Sequence, residues 1–423
     1  MRCRLLAAVF TCAMSWGQQA PEGWSAWSAR PETAPRVFID QVVDRGSGGS
    51  LAISGNSNPA AHGGWQKKVD GVGAGKWYRL RAFWRASGVA AENWQVVARL
   101  DWRNAQGKRA GQPEYVWRQR GAGEWKENWV EAPAPAGATS VLIQLFLSNA
   151  PQGTVWWDDI TFEEIPDPGP RNVTIASINL KPSRTSSAAE SVSKFMEAVD
   201  QLVKVKADLI VLPEGITVVG TGKTYAEVAE ALPGPTTERL GVLAKARGAY
   251  IVAGVYEREG AVVYNTAVLL DRQGRLAGKY RKVYLPREEV EAGITPGAEY
   301  PVFRTDFGVL GMMICYDVFF ADPARALVLG GAEIIALPIW GGDETLAKAR
   351  AIEGGVFLVA SGYDHPTYVM DPDGRRIAVA KDRGSAAIAT IDLNRRYADA
   401  WLGEMHGRRL KEMRLDVSAE ALR

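Results

Sequence analysis

Gly308-Val309-Leu310-Gly311-Met312-Met313-Ile314-Cys315-Tyr316-Asp317-Val318-Phe319-Phe320-Ala321-Asp322-Pro323-Ala324-Arg325 is the stretch on which the reading of the whole chain turns. Its first half is a short, unbroken apolar run, the pattern of a strand buried on both faces. Pro323 then suits the first turn of a helix, where its missing N–H costs nothing. Cys315 therefore stands where a strand gives way to a helix. Backbone N–H groups left unpaired at such a turn are expected to lower the pKa of a thiol and can hold an oxyanion.

Runs of the same kind recur on either side. Asp208 to Pro213, Tyr250 to Val255 and Ile334 to Pro338 are apolar, short and separated by helix-length segments. In Ser191 to Val205 the residues Val192, Phe195, Met196, Val199, Leu202 and Val203 fall on one helical face, and Thr237 to Arg247 reads likewise. Strands alternating with helices predict an α/β or layered α+β domain over residues 172–395. Two more reactive side chains belong to this pattern. Glu214 ends the run Leu209-Ile210-Val211-Leu212-Pro213, and Lys282 lies in the charged segment Lys279 to Glu289. Open sheets present their sites at such strand ends.

The first part of the chain has another texture. Thirteen of the fifteen tryptophans, Trp16 through Trp157, precede residue 165. Tyr78, Leu80, Ala82 and Trp84 alternate with Arg79 and Arg81, and Val96 to Trp102, Val141 to Leu147 and Val155 to Phe162 repeat the period of two that marks strands. Gly-rich segments separate them, so residues 22–165 are expected to form an all-β sandwich of jelly-roll type. The prolines of Pro166-Asp167-Pro168-Gly169-Pro170 make 166–171 a stiff linker. The tail, 396–423, is polar and Arg-rich with weak helical character, and is read as a segment that packs on a neighbouring subunit.

Composition bounds the rest. The chain has 423 residues and 50 Lys plus Arg against 48 Asp plus Glu, so no global field favours nucleic acid or an acidic membrane. Leu5 to Met14 is about half the length a bilayer span needs. With Arg2 and Arg4 before it and Ser15 and Gly17 after it, this run has the layout of a signal peptide over residues 1–19, which predicts export. Cys3 and Cys12 would leave with the leader, so the exported chain would keep Cys315 as its single thiol.

Taken in order, Glu214, Lys282 and Cys315 resemble the catalytic set of the nitrilase superfamily, the carbon-nitrogen hydrolases, and the likeness runs from about Asn172 to Leu393. Asn172-Val173-Thr174-Ile175-Ala176, Tyr264-Asn265-Thr266-Ala267 before the lysine, and Ala349 to Phe357 agree with it. The resemblance implies a four-layer αββα sandwich, usually dimerised, with no cofactor and no metal. It makes Glu214 the general base, Cys315 the nucleophile and Lys282 the cation that stabilises the tetrahedral intermediate, with the backbone N–H of Tyr316 as a second oxyanion donor. Many members carry another glutamate between the lysine and the cysteine; of Glu288, Glu289 and Glu291, Glu291 is preferred. Trp340 and Tyr363 are candidate walls of a pocket for a small amide-type substrate.

The sequence also departs from the family. Tyr284 stands where histidine is common, and Val318-Phe319 where an arginine often follows Cys-Tyr-Asp. Cys315-Tyr316-Asp317 resembles the amidase and carbamoylase branches more than true nitrilases, which favours amides over nitriles. The closing strand Val155 to Phe162 resembles the last strand of carbohydrate-binding jelly-roll modules, so glycan binding and a passive spacer are both open readings of the first domain. Two rival functions stay in view. One is a Cys-His mechanism, for which His62, His365 and His406 are available; the other is a secreted glycan-binding protein with a non-catalytic hydrolase-like domain.

Overall fold

The structure is a computed structural model and describes residues 20–46, 48–121, 123–363 and 367–417. Residues 1–19 with Cys3 and Cys12, and His365, lie outside the described residues. Two compact units divide the chain, one running to Pro168 and resuming at Ala398, the other Gly169–Tyr397.

The first unit holds two sheets. One has the strand order Trp24–Ser28, His62–Asp70, Ser140–Ser148, Val96–Arg103, Glu114–Tyr115; the other runs Arg36–Asp40, Ser50–Ser54, Thr154–Ile165, Trp77–Ser87, Lys126–Pro133, Arg118–Arg120. Alternation decides what they bury. Along Trp77–Ser87, Tyr78, Leu80, Ala82 and Trp84 enter the core while Arg79 and Arg81 stay outside. Trp65, Trp84, Trp102 and Trp157 are all fully buried there, so these four fill space and are not sugar platforms.

The tail is folded onto the sheets of its own unit. Its helix, Met405–Glu412, sets His406 edge-on against Trp117 at 4.6 Å and buries Lys411, whose ammonium donates to the Val96 carbonyl at 3.1 Å. Burial pulls that ammonium down to a pKa of about 8. Asn93 and Trp94 complete the attachment by donating to the Met413 carbonyl and to Asp416. The periodicity showed a weak helix but could not show that its partner was more than 250 residues upstream in the same chain.

The second unit stacks two six-stranded sheets. The first is ordered Leu276–Arg281, Val262–Leu270, Tyr250–Glu259, Leu209–Val211, Asn172–Asn179, Ser385–Asp392; the second Val302–Arg304, Val309–Met312, Ile334–Pro338, Phe357–Ser361, Tyr368–Met370, Arg376–Val379. Period two now explains why the strands read as continuous apolar runs. Leu209 and Val211 point into the layer between the sheets with Leu310, Met312, Ile334 and Val359, whereas Ile210 and Leu212 point toward the helices Ala188–Leu202 and Pro235–Arg247. Helices Ala321–Leu329 and Glu344–Gly354 cover the outer side of the second sheet, with Leu327 lying over Gly311. The layers are thus helix, sheet, sheet, helix. The first helix begins at Ala188 because Ser187 caps it, its hydroxyl accepting from the Glu190 N–H at 3.2 Å. It stops at Leu202, leaving Val205 exposed, three residues short of what spacing alone suggests.

Two devices fix the strand ends where the reactive residues sit. Buried hydroxyls tie sheet to sheet: Ser177 donates to the Ala360 carbonyl at 2.6 Å and Ser361 to the Ile178 carbonyl at 2.9 Å. Beyond Val211 the chain leaves the ladder but stays against Gly254, which donates to the Pro213 carbonyl at 3.0 Å and accepts from the Ile216 N–H at 2.9 Å. A β-carbon on Gly254 would stand 2.5 Å from the Glu214 Cα. Gly254→Ala should therefore displace Glu214, lowering the stability of this unit by about 1–3 kcal/mol and its activity with it. Thermal unfolding and turnover measured side by side check this; a variant unchanged in both would contradict the packing described.

Candidate active site

Glu214 and Lys282 come from one sheet and Cys315 from the other, and the fold brings them together at the ends of the buried strands. Glu214 follows Leu209–Val211, Lys282 follows Leu276–Arg281, and Cys315 opens the 3-10 turn Cys315–Phe319 after Val309–Met312. Glu214 is 3% exposed and Lys282 1%. The Lys282 ammonium donates to Glu214 Oε1 at 2.9 Å and lies 3.0 Å from Glu289 Oε2. Asn265 bridges the same carboxylates, its Nδ2 donating to Glu214 Oε1 at 2.7 Å and to Glu289 Oε1 at 2.5 Å. Glu214 Oε2 is buried and accepts no hydrogen bond from the described residues.

Burial works against the Lys282 charge, but Glu214, Cys315 and Glu289 outweigh it and hold the ammonium above its ordinary range. It stays protonated at neutral pH, so it acts as a fixed positive charge and not as a base. Burial raises the Glu289 carboxyl, with Glu214 adding to the effect and Lys282 opposing it.

Cys315 lies within the fields of both Glu214 and Lys282. Its φ of 42° is in the left-handed region, which costs a residue with a β-carbon about 1–2 kcal/mol and has to be held by its surroundings. Asp317 supplies the hold. Its carboxyl, fully buried, accepts from the Ile314 N–H at 2.9 Å, the Tyr280 hydroxyl at 2.7 Å and the Tyr284 N–H at 2.9 Å. Tyr280 and Tyr284 flank Lys282, so one carboxyl fastens the nucleophile turn to the lysine segment. Arg350 adds a second tie by donating to the Val318 carbonyl at 3.2 Å.

The thiol is not the depressed one expected at a strand-to-helix turn. Burial and the Glu214 charge push its pKa up to about 12, and Lys282 and the backbone at Trp340 and Gly341 only partly offset them. The sulfur donates to the Gly341 carbonyl at 3.1 Å. Cys315 as a residue is half-buried, and the packing around its sulfur together with the Glu214 charge outweighs the local N–H groups.

The supporting glutamate is also corrected. Glu291, preferred from the sequence, is 70% exposed in its side chain and faces Arg287, while Glu289 is buried beside Lys282. On the short helix Arg287–Glu291 Glu289 is the buried residue, and five residues offer no period that singles it out. Asn265, Tyr256 and Asp317 were missed as site residues. Tyr256 lies fully buried with its hydroxyl 3.4 Å from Glu289 Oε1. Tyr316 is half-buried, edge-on to Phe320. Trp340 is 40% exposed and meets Tyr363 edge-on at 4.8 Å, whereas Tyr363 is fully enclosed. His62 and His406 belong to the first unit, and this cluster to the second.

The sequence model of the carbon-nitrogen hydrolases matches residues 174–401, and so spans every residue of this cluster. The chain belongs to the carbon-nitrogen hydrolase family. A nitrilase of Pyrococcus abyssi is 39% identical to it over 200 residues, 45% of this chain and 74% of that protein. The omega-amidase NIT2 of Xenopus tropicalis is 28% identical over 235 residues, 48% of this chain and 84% of that one. Among solved structures, an amidase from Nesterenkonia sp. has 24% identity and a TM-score of 0.49, covering 59% of this chain and 96% of its own. This hydrolase is thus an enzyme whose relatives are amidases and nitrilases.

Two outcomes follow from the geometry of this hydrolase. Glu289→Gln should lower turnover by about tenfold or more, because it loosens the grip on Lys282, while Glu291→Gln should leave turnover unchanged; the reverse ranking would contradict the site. Because burial and the Glu214 charge raise the Cys315 pKa, little thiolate is expected at pH 9, where an ordinary thiol is mostly ionised. Thiolate absorbance, taken as the difference from Cys315→Ala, should stay flat from pH 6 to 10. A step near pH 8 to 9 would contradict the desolvated thiol.

Proposed function

We propose that this enzyme cleaves a non-peptide carbon–nitrogen bond of amide or carbamoyl type through a thioester on Cys315. The observation that carries the reading is Glu214: a buried carboxyl with one oxygen held by Lys282 and Asn265 and the other accepting nothing from the described residues, beside a thiol whose pKa burial raises. In this reading Glu214 takes the proton from sulfur as sulfur attacks the carbonyl carbon. The oxyanion that forms is met by Lys282 and the Tyr316 N–H. Collapse expels the amine, which leaves with the proton from Glu214, and the acyl group remains on sulfur. Water, losing a proton to the same carboxylate, attacks the thioester; its collapse releases the acid and restores the thiol.

Amides are favoured over nitriles by Cys315-Tyr316-Asp317, which resembles the amidase branch, and the omega-amidase relative supports the same class. The proposal includes export, on the layout of residues 1–19, and contact with glycan by the first unit, read as a jelly roll from its two facing antiparallel sheets. Among the described residues no helix is long and apolar enough to cross a membrane.

Ammonia release from a panel of amides, carbamoyl compounds and nitriles tests the reaction class, and amides should lead. Cys315→Ala should abolish turnover with the fold intact, and Lys282→Ala should lower kcat by about 100 to 1000-fold with little change in KM. Substantial turnover in Cys315→Ala, or an effect of Lys282→Ala confined to KM, would overturn the assigned roles.

A further inference from the structure

One side chain at the active-site end of the second unit belongs to one sheet and is bonded to the other. Tyr363 follows the strand Phe357–Ser361 of the second sheet, yet its ring packs with the residues between the first sheet and its helices, 6.4 Å from the Phe195 ring. Its hydroxyl donates to the backbone carbonyl of Glu214. Its ring meets Trp340 at 4.8 Å and an interplanar angle of 66°. Trp340 in turn lies against Gly215, where an added β-carbon would stand 3.4 Å from the indole, and the next residue, Gly341, accepts from the Cys315 sulfur at 3.1 Å. Glu214 and Cys315 are thus joined through Tyr363, Trp340 and Gly341 without passing through Lys282.

The backbone at Glu214 needs such a support. Pro213 has ended the strand, so the Glu214 peptide is outside the ladder and its orientation rests on individual bonds. Gly254 holds the residues on either side of Glu214, Pro213 and Ile216, and Tyr363 holds Glu214 itself. Enclosure keeps the phenol protonated far above neutral pH, so the hydroxyl remains a donor throughout the working range.

We propose that Tyr363 is a positioning residue, which sets the Glu214 carboxylate against the Cys315 thiol by tying the base's own peptide to the loop that faces the nucleophile. It touches neither the reacting atoms nor the substrate, in contrast to the pocket-wall role its aromatic character suggests. The inference rests on the reading of Glu214 as the base that deprotonates Cys315, and it extends that reading to a residue on the opposite sheet.

Iodoacetamide alkylation of Cys315 at pH 7 reports base–thiol geometry without a known substrate. Rates are compared for the full chain, Tyr363→Phe, Glu214→Gln and the double variant, with the thermal midpoint of each recorded. Tyr363→Phe keeps the ring and removes only the hydroxyl. It should slow alkylation by about tenfold to a hundredfold, the scale on which small misplacements act, with a nearly unchanged thermal midpoint, and it should add nothing in the Glu214→Gln background. An unchanged rate in Tyr363→Phe alongside a slowed Glu214→Gln overturns the positioning role alone. A full Tyr363→Phe effect persisting in the double variant also overturns it, since the hydroxyl would then act independently of Glu214. A rate in Glu214→Gln that is unchanged, or raised as loss of the charge that lifts the thiol pKa would alone give, instead removes the base assignment on which the inference stands.

Discussion

An ammonium group with almost no access to water is the constraint around which the second unit is built. Taking one charge of this kind out of water costs several kcal/mol, and that cost is met only if opposite charges and hydrogen bonds are already in place. Lys282 finds Glu214 on one side and Glu289 on the other, with Asn265 fixing both carboxylates. No member of this group is near another in sequence except Lys282 and Glu289. The cluster exists only once the strands at Leu209–Val211, Val262–Leu270 and Leu276–Arg281 have paired, and it would be costly in any other register.

Chemistry follows from dividing charge and sulfur between sheets. All the full charges of the group come from the first sheet and its connections, and the thiol comes from the second. The thiol is raised by the same burial that strengthens the ion cluster, so the resting site holds its proton on sulfur. In the proposed reaction, ionisation at the moment of attack depends on how the two sheets hold Glu214 against Cys315. The buried hydroxyl bonds of Ser177, Ser361 and Tyr363 all lie at this end and all run from one sheet to the other. Asp317 does the same work between the nucleophile turn and the lysine segment. A site that lowered the thiol pKa outright would need none of these cross-sheet ties.

Much of this was legible in the sequence for a physical reason. Strands buried on both faces leave unbroken apolar runs, and residues at their ends stand out because a charge or thiol interrupts the run, which is how Glu214 and Cys315 were found. Alternation in the first unit is equally plain because one face of each sheet meets solvent, as Arg79 and Arg81 show beside Tyr78 and Leu80. What stayed hidden depended on contacts distant in sequence. Glu289 could be told from Glu288 and Glu291 only by the face its short helix turns inward, and the one apolar residue there, Val290, misleads because it is exposed. The raised thiol pKa comes from enclosure that no local pattern encodes. The tail's place on the sandwich depends on Trp117 and Val96, far upstream.

In the proposed reaction Cys315 carries the acyl group of an amide substrate between two half-reactions. Acid-quenched enzyme, taken during steady turnover of the best amide and analysed by intact and peptide mass spectrometry, tests it most directly. The account predicts an added mass equal to the acyl portion of the substrate, located on the peptide containing Cys315, released by hydroxylamine and absent in Cys315→Ala. Turnover at full rate with no adduct in a rapid-quench time course that includes the first turnover, or an adduct on any other residue, would contradict it.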